Sequence, residues 1–190
     1  MPSDRYEERK PFFDCVFENG VDQYVHPTGV TGVKIVTGVE ESFLDPYFNS
    51  PYGQRAKSSG DLSIFLADSE QTAKAEVFQG QQSSGYPPNS WLLSYEYQGQ
   101  ILNIQKIEDE NFKNDFLEAS GEYKHEFSQD ARHYLDEKGY AQKFDSIGWV
   151  SVQGNQIGQG GFVYNWVSGE SPTFNHLCTI RLDSPSGDQQ

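Results

Sequence analysis

Glu76, Ser151 and Arg55 are the residues of this sequence whose types and settings could carry chemistry. Glu76 falls in a segment, residues 69–79, that reads as a helix. Asp68 is its expected cap, Gln71 the capping-box partner and Gly80 the stop. Ala73 and Val77 define the apolar stripe of that helix, with Glu76 at its edge. A carboxylate turned inward costs desolvation free energy unless it is paired or used, whereas one at a boundary reaches water along its own methylenes. Ser151 belongs to Ile147-Gly148-Trp149-Val150-Ser151-Val152, where a period of two places Ile147, Trp149 and Ser151 on one face of a strand. Its hydroxyl has two uses open to it, a ligand in a cleft or a neighbouring backbone group. Arg55 sits in the loop 46–61 with Tyr47, Phe48, Tyr52, Gly53 and Gly60. Guanidinium for charge, rings for stacking and glycines for close approach suit a planar or phosphorylated ligand; the plainer alternative is a solvated loop arginine.

Other constellations are thinner. His26, His125, His133 and His176 lack metal-ligand spacing, and no metal site is expected. No G-x-S-x-G, P-loop or G-x-G-x-x-G occurs. The run GQGG, 158–161, follows an expected strand and reads as a turn. Glu40 and Glu41 would be the paired carboxylates of a glycosidase, but neighbours on a strand point apart, and a surface pair is the simpler reading.

The elements that must position these residues are mostly strands. Alternating runs appear at 33–36, 62–67, 91–97, 101–104, 147–153, 162–167 and 176–182, the last two joined by a hairpin connection at 168–172. A second helix begins at Ser128 and stops at Gly139, with Ala131, Tyr134, Leu135 and Lys138 as one stripe, and a weaker one spans 108–119. Strands in runs, not in strict alternation with helices, predict an α+β fold of mostly antiparallel sheets with a few flanking helices. The long connections are 37–61 and 81–90, and the first is where a binding site is expected.

The chain has 190 residues, which fits one domain, 1–182, followed by a polar tail, 183–190, expected to fray. Its 14 basic and 28 acidic side chains give a net charge of −14, which opposes binding to a phosphate backbone or an anionic membrane. Aromatic residues at 14% supply enough large side chains for a core, so this is not an acidic disordered chain. Cys15 and Cys178 cannot build a disulfide framework, which favours a reducing compartment. The charged N-terminus lacks an apolar signal segment and no run is long enough to cross a bilayer. The expected location is the cytoplasm, or the cytosol of a target cell reached without a cleaved signal peptide.

Three blocks, in order, resemble the RES-domain family, named for its arginine, glutamate and serine. YGQRAKSSGDLSIFLADSEQTAKAEVF, 52–78, is similar to a glycine-arginine turn, a strand, and a helix carrying alanine and then glutamate. ILNI, 101–104, stands in the place of the next buried strand. FSQDARHYLDEKGYAQKFDSIGWVSVQGN, 127–155, is similar to a helix, an aspartate-isoleucine start and a strand ending in serine. The likeness covers roughly 30–167 and implies a core like that of ADP-ribosyltransferases and an activity that degrades NAD+, here a substrate and not a cofactor. Arg55, Glu76 and Ser151 take the places of the family's three residues. Lys34 occupies the first core strand, where the family has an earlier arginine; His26 lies just before it, and Phe65 stands where many members have a tyrosine. A lysine does not reproduce a bidentate arginine fork.

In the mechanism this implies, the nicotinamide–ribose bond breaks to an oxocarbenium-like centre that the Glu76 carboxylate stabilises. Arg55, with Lys34 or His26, would hold the diphosphate, Ser151 would orient the ribose, and Tyr47 or Tyr52 would stack on a ring. Water or phosphate would capture the ribosyl cation. A chain of this kind implies a neutralising antitoxin or immunity protein. Two alternatives are an ADP-ribosyltransferase acting on a macromolecule, with His26 of the stretch 24–29 on the cofactor ribose, and a non-catalytic binding module.

Overall fold

The computed structural model describes residues 2–44, 63–80, 85–118, 125–158, 160–167 and 174–183. The expected loop around Arg55, the connection 168–172 and most of the tail lie outside them.

An N-terminal helix, α1 (Tyr6–Val16), precedes the long strand β1 (Val25–Val36). Then follow β2 (Ser63–Ala67), α2 (Glu70–Val77), β3 (Trp91–Asn103), α3 (Glu110–Leu117) and α4 (Glu126–Glu137). The chain ends with β4 (Ser146–Val150), the short helix α5 (Val152–Gln156), β5 (Phe162–Val167) and β6 (Phe174–Arg181). The hydrogen-bonded order is β1-β2-β5-β4-β3-β6, and a further pairing of β1 with β3 closes the first five strands into a ring. Among the described strands only β3–β4 is parallel. The architecture is therefore α+β with mostly antiparallel strands, as the run of strands in the sequence predicts.

Alternation along the strands separates the apolar residues onto two faces. Ile64, Leu66, Trp91, Leu93, Tyr95, Tyr97 and Ile101 form one cluster across the ring. On the other face Leu102, Ile104, Ile147, Trp149 and Val163 meet the aromatic faces of α1, α3 and α4, including Phe13, Phe112, Phe116 and Tyr134. A small third cluster of Ile35, Ala67, Leu92 and Ala73 seats α2 on β1. That seat is what places Glu76.

Several boundaries differ from the expectations. Runs 91–97 and 101–104 are one strand, because β1 pairs with β3 continuously from Val36↔Trp91 to Val25↔Leu102. β5 and β6 do not form a hairpin: β5 lies between β2 and β4, and β6 lies against β3. The strand 147–153 stops at Val150, where Ser151 turns to cap α5. Ser69, not Asp68, caps α2, accepting the Thr72 N–H at 3.1 Å. Asp68 instead exchanges hydrogen bonds with Phe162, donating N–H to its carbonyl at 2.9 Å and accepting its N–H at 3.0 Å. Ser128 is internal to α4 and donates to the His125 carbonyl; His125 is the cap, at φ 72°. Gly139, at φ 72°, does end that helix. α1 has no counterpart among the sequence expectations, since its charged residues mask the buried positions Tyr6 and Phe13.

Candidate functional site

Glu76 and Ser151 meet. α2 follows β2 and α5 follows β4, strands that both flank β5, so both helices start from the same end of the ring. Ala67 pairs with Val163 on one side of β5, and Val150 pairs with Phe162 on the other. From this edge the Ser151 hydroxyl donates to Glu76 Oε1 at 2.6 Å. A charge-assisted O–H···O⁻ bond of that length is at the strong end of the range.

Ser151 is also fixed from behind. Its Oγ accepts the Gly154 N–H at 2.8 Å, and its own N–H donates to the Gly161 carbonyl at 2.9 Å. The residue is 0% exposed. Of the two uses left open for its hydroxyl, the backbone one is realised, and its proton goes to a carboxylate of the protein itself. A buried oxygen engaged twice is unsuited to nucleophilic attack; it orients Glu76.

The buried positions of α2 are Thr72, Ala73 and Ala75, while Val77 is 37% exposed. The stripe expected from Ala73 and Val77 is thus rotated, because Ala73 seats the helix on β1 and Thr72 meets Gly161, while its last turn directs Glu76, not Val77, toward α5. Glu76 stays half-buried one turn after Thr72, on the side of α5.

The expected ligand-binding residues distribute differently. Arg55, Tyr47 and Tyr52 lie outside the described residues. Val33 and Ile35 face α2, so Lys34, half-buried, leaves β1 on the opposite face. His26 is eight residues earlier in β1, about 26 Å away along the strand. Through β3 it is level with Ser146, five residues and about 16 Å short of Ser151. His26 and Lys34 therefore do not form one grip on a diphosphate. Burial, aided by the charge of Lys106, lowers the His26 pKa below the usual imidazole value, which favours the neutral ring. Phe65 is half-buried and meets Trp149 edge-on with centroids 6.2 Å apart, a wall behind β4.

Glu40 and Glu41 are exposed and line a separate open depression of about 600 Å³ with Ser42, Asn89 and Arg181. It lies beyond the Val36–Trp91–Arg181 end of the sheet, and neither Glu76 nor Ser151 borders it.

Two residues at the pair, Thr72 and Gly154, were not singled out by sequence reasoning, and two more, Gly160 and Gly161, were read only as part of a turn. A Cβ on Gly154 would overlap the Gly160 carbonyl oxygen, and one on Gly161 would overlap Thr72 Oγ1 and reach its Cγ2 at 2.8 Å. The run GQGG does turn, with positive φ at Gly158, Gly160 and Gly161. The bare Cα atoms of Gly154 and Gly161 also let the start of β5 approach both helices, a use that turn propensity alone does not reveal.

The α+β class with a ring of mostly antiparallel strands and flanking helices has a counterpart among solved proteins. The chain is similar in fold to one in the crystal structure of the M. tuberculosis MbcT–MbcA toxin–antitoxin complex, with a TM-score of 0.51 and 12% identity over 94% of this chain and 92% of that one. No protein-family model matches the sequence. No curated protein matches it significantly. Among the described residues no helix is long and apolar enough to cross a membrane.

Proposed function

We propose that this protein is a toxin of the RES type that degrades NAD+ by breaking its nicotinamide–ribose bond. The observation that carries the reading is the Ser151–Glu76 hydrogen bond, which joins residues 75 positions apart at one edge of the strand ring. The RES-like blocks in the sequence and the fold shared with a toxin–antitoxin chain point the same way.

Glu76 supplies the central electrostatic role. The pyridinium is already a cationic leaving group, so the C–N electron pair departs with nicotinamide and no general acid is needed. Positive charge then develops on the ribose, and a carboxylate held beside it lowers that barrier. Ser151 occupies one lobe of Oε1 and leaves the rest of the carboxylate for the ribose. Water or phosphate adds to the anomeric carbon and gives its proton to solvent. Arg55 is proposed for the diphosphate, with Tyr47, Tyr52 and Phe65 as ring neighbours of the nucleotide; Lys34 and His26, from different stretches of β1, would serve separate parts of it. An NAD+-degrading chain harms its own host, so an antitoxin or immunity protein is the proposed macromolecular partner, and the cytosol the proposed place of action. The −14 charge argues against nucleic acid as a partner.

The test is incubation of purified protein with NAD+, with and without phosphate, with chromatography of the products. Nicotinamide and free ADP-ribose indicate hydrolysis. ADP-ribose phosphorylated at the anomeric carbon indicates phosphorolysis. A folded sample that releases no nicotinamide in either buffer overturns the proposal.

A further inference from the structure

Gly161 touches both halves of the candidate site. Its carbonyl accepts the Ser151 N–H at 2.9 Å, and its bare Cα packs on Thr72, one helical turn before Glu76. Thr72 is 4% exposed and held at the first turn of α2, with its Oγ1 2.9 Å from Ser69 Oγ. On the other side the Gly160 carbonyl packs on Gly154, whose N–H holds Ser151 Oγ. The start of β5 is thus a spacer of backbone thickness, with α2 on one side and α5 on the other.

We infer that this spacer is a gauge: contact of Thr72 with Gly161, and of Gly154 with Gly160, sets the separation of Glu76 from Ser151 and so the aim of the carboxylate. Thr72 and Gly161 are positioning residues. The physical reason is that neither contact can give. Gly161, at φ 105°, already lies where side chains are disfavoured, and the nearest atom facing Gly154 is the main-chain carbonyl oxygen of Gly160, with Ser151 Oγ next. Any added carbon must move a helix, and a displacement of that size at a reacting centre costs roughly a hundredfold in rate. The inference rests on the proposed role of Glu76 for its kinetic readout, but not for its structural one.

The experiment compares the full-length protein with Gly161→Ala, with Gly161→Ala combined with Thr72→Ala, and with Thr72→Ser. For Gly161→Ala the expected result is a fall in kcat of about a hundredfold with KM nearly unchanged. The double variant relieves the overlap and is expected to regain about tenfold of that loss, although the φ strain remains. Thr72→Ser, which keeps the hydroxyl and trims one methyl, guards against a failure of Gly161→Ala to fold; its kcat is expected to fall several-fold, with KM constant. Amide exchange at Gly154, whose N–H reports the Ser151 contact, is expected to speed up in Gly161→Ala and slow again in the double variant.

Wild-type kcat and Gly154 protection in a folded Gly161→Ala protein would overturn the gauge. So would an equal loss in single and double variants, which indicates a merely structural role. If Gly161→Ala does not fold, an unaltered kcat and Gly154 protection in Thr72→Ser overturn it instead. An inactive wild type that still shows the Gly154 exchange pattern sinks the NAD+ reading and leaves the gauge standing.

Discussion

Ser151 Oγ lies 2.6 Å from Glu76 Oε1 and donates to it, so the carboxylate is aimed by a hydroxyl that is itself pinned by the Gly154 N–H at 2.8 Å. Glu76→Gln keeps an oxygen that Ser151 can donate to and removes only the charge. The expected outcome is a fall in nicotinamide release of about 10²–10³-fold, with a melting temperature close to that of the wild type. Parallel turnover and thermal-melt measurements check it. A variant that keeps its turnover shows that the charge at position 76 is not what the reaction uses.

Ser151→Ala separates aiming from charge. It removes the donor to Glu76 and leaves the Gly154 N–H at the start of α5 without its cap. The cap alone is worth about 1 kcal/mol of stability. Loss of a hydrogen bond to a charged group, about 1.5–3 kcal/mol, predicts a turnover lower by about ten- to a hundredfold. Activity should therefore drop less than in Glu76→Gln, while stability drops more. The reverse order in kinetics and melting would contradict the division of roles.

How much of this was legible before the structure depends on what each signal measures. Period-two alternation located the six described strands, through buried faces in the ring and through pattern alone in β6, where residues 177–181 are exposed, although it missed that β1 reaches back to Val25 and that β3 is unbroken. Glu76 stood out because a charge at the edge of an apolar stripe is locally anomalous. Its contact with Ser151 was not legible from periodicity, since it depends on which strands flank β5. The order β2-β5-β4 is a long-range property. Val77 misled because it is apolar yet falls on the outer side of the last turn of α2, whose other side carries buried Ala75 and directs Glu76 toward α5. Gly154 was silent, and Gly161 was read only as a turn, for the opposite reason: they have no side chain where two helices meet a strand.

The N-terminal helix is tied to α4 by a buried charge. Asp130, 0% exposed, accepts from Arg9, from the Ser3 N–H at 2.8 Å and from the Ser3 hydroxyl. Arg9 also reaches Glu126 at 3.4 Å and lies over the Phe127 ring. Arg9→Met leaves an uncompensated anion in the α1–α4 interface and is expected to destabilise the fold by about 3–5 kcal/mol. Adding Asp130→Leu should return much of that loss, because a well-packed apolar pair replaces two charges that had to be desolvated. Denaturant titration of the single and double variants decides it: a double variant no more stable than Arg9→Met contradicts the account.

Acid should loosen the other end of the sheet. Asp183 accepts Arg181 Nε at 3.0 Å, the Asn89 N–H at 2.7 Å and the Ser90 N–H at 3.2 Å, joining the end of β6 to the start of β3. The Arg181 hydrogen bond, ahead of the two backbone donors, lowers its pKa to about 2. In the unfolded chain an aspartate titrates near about 3.9. Between these values the unfolded state binds more protons than the folded one, so the stabilisation is fully present above about pH 4 and is lost as pH falls toward the folded-state value. Asp183→Asn should accordingly melt below the wild type at neutral pH, and the gap between the two should close on titration to about pH 2. Melting curves across that window check the sign: a gap that stays constant would show that the carboxylate contributes through shape and not through its charge.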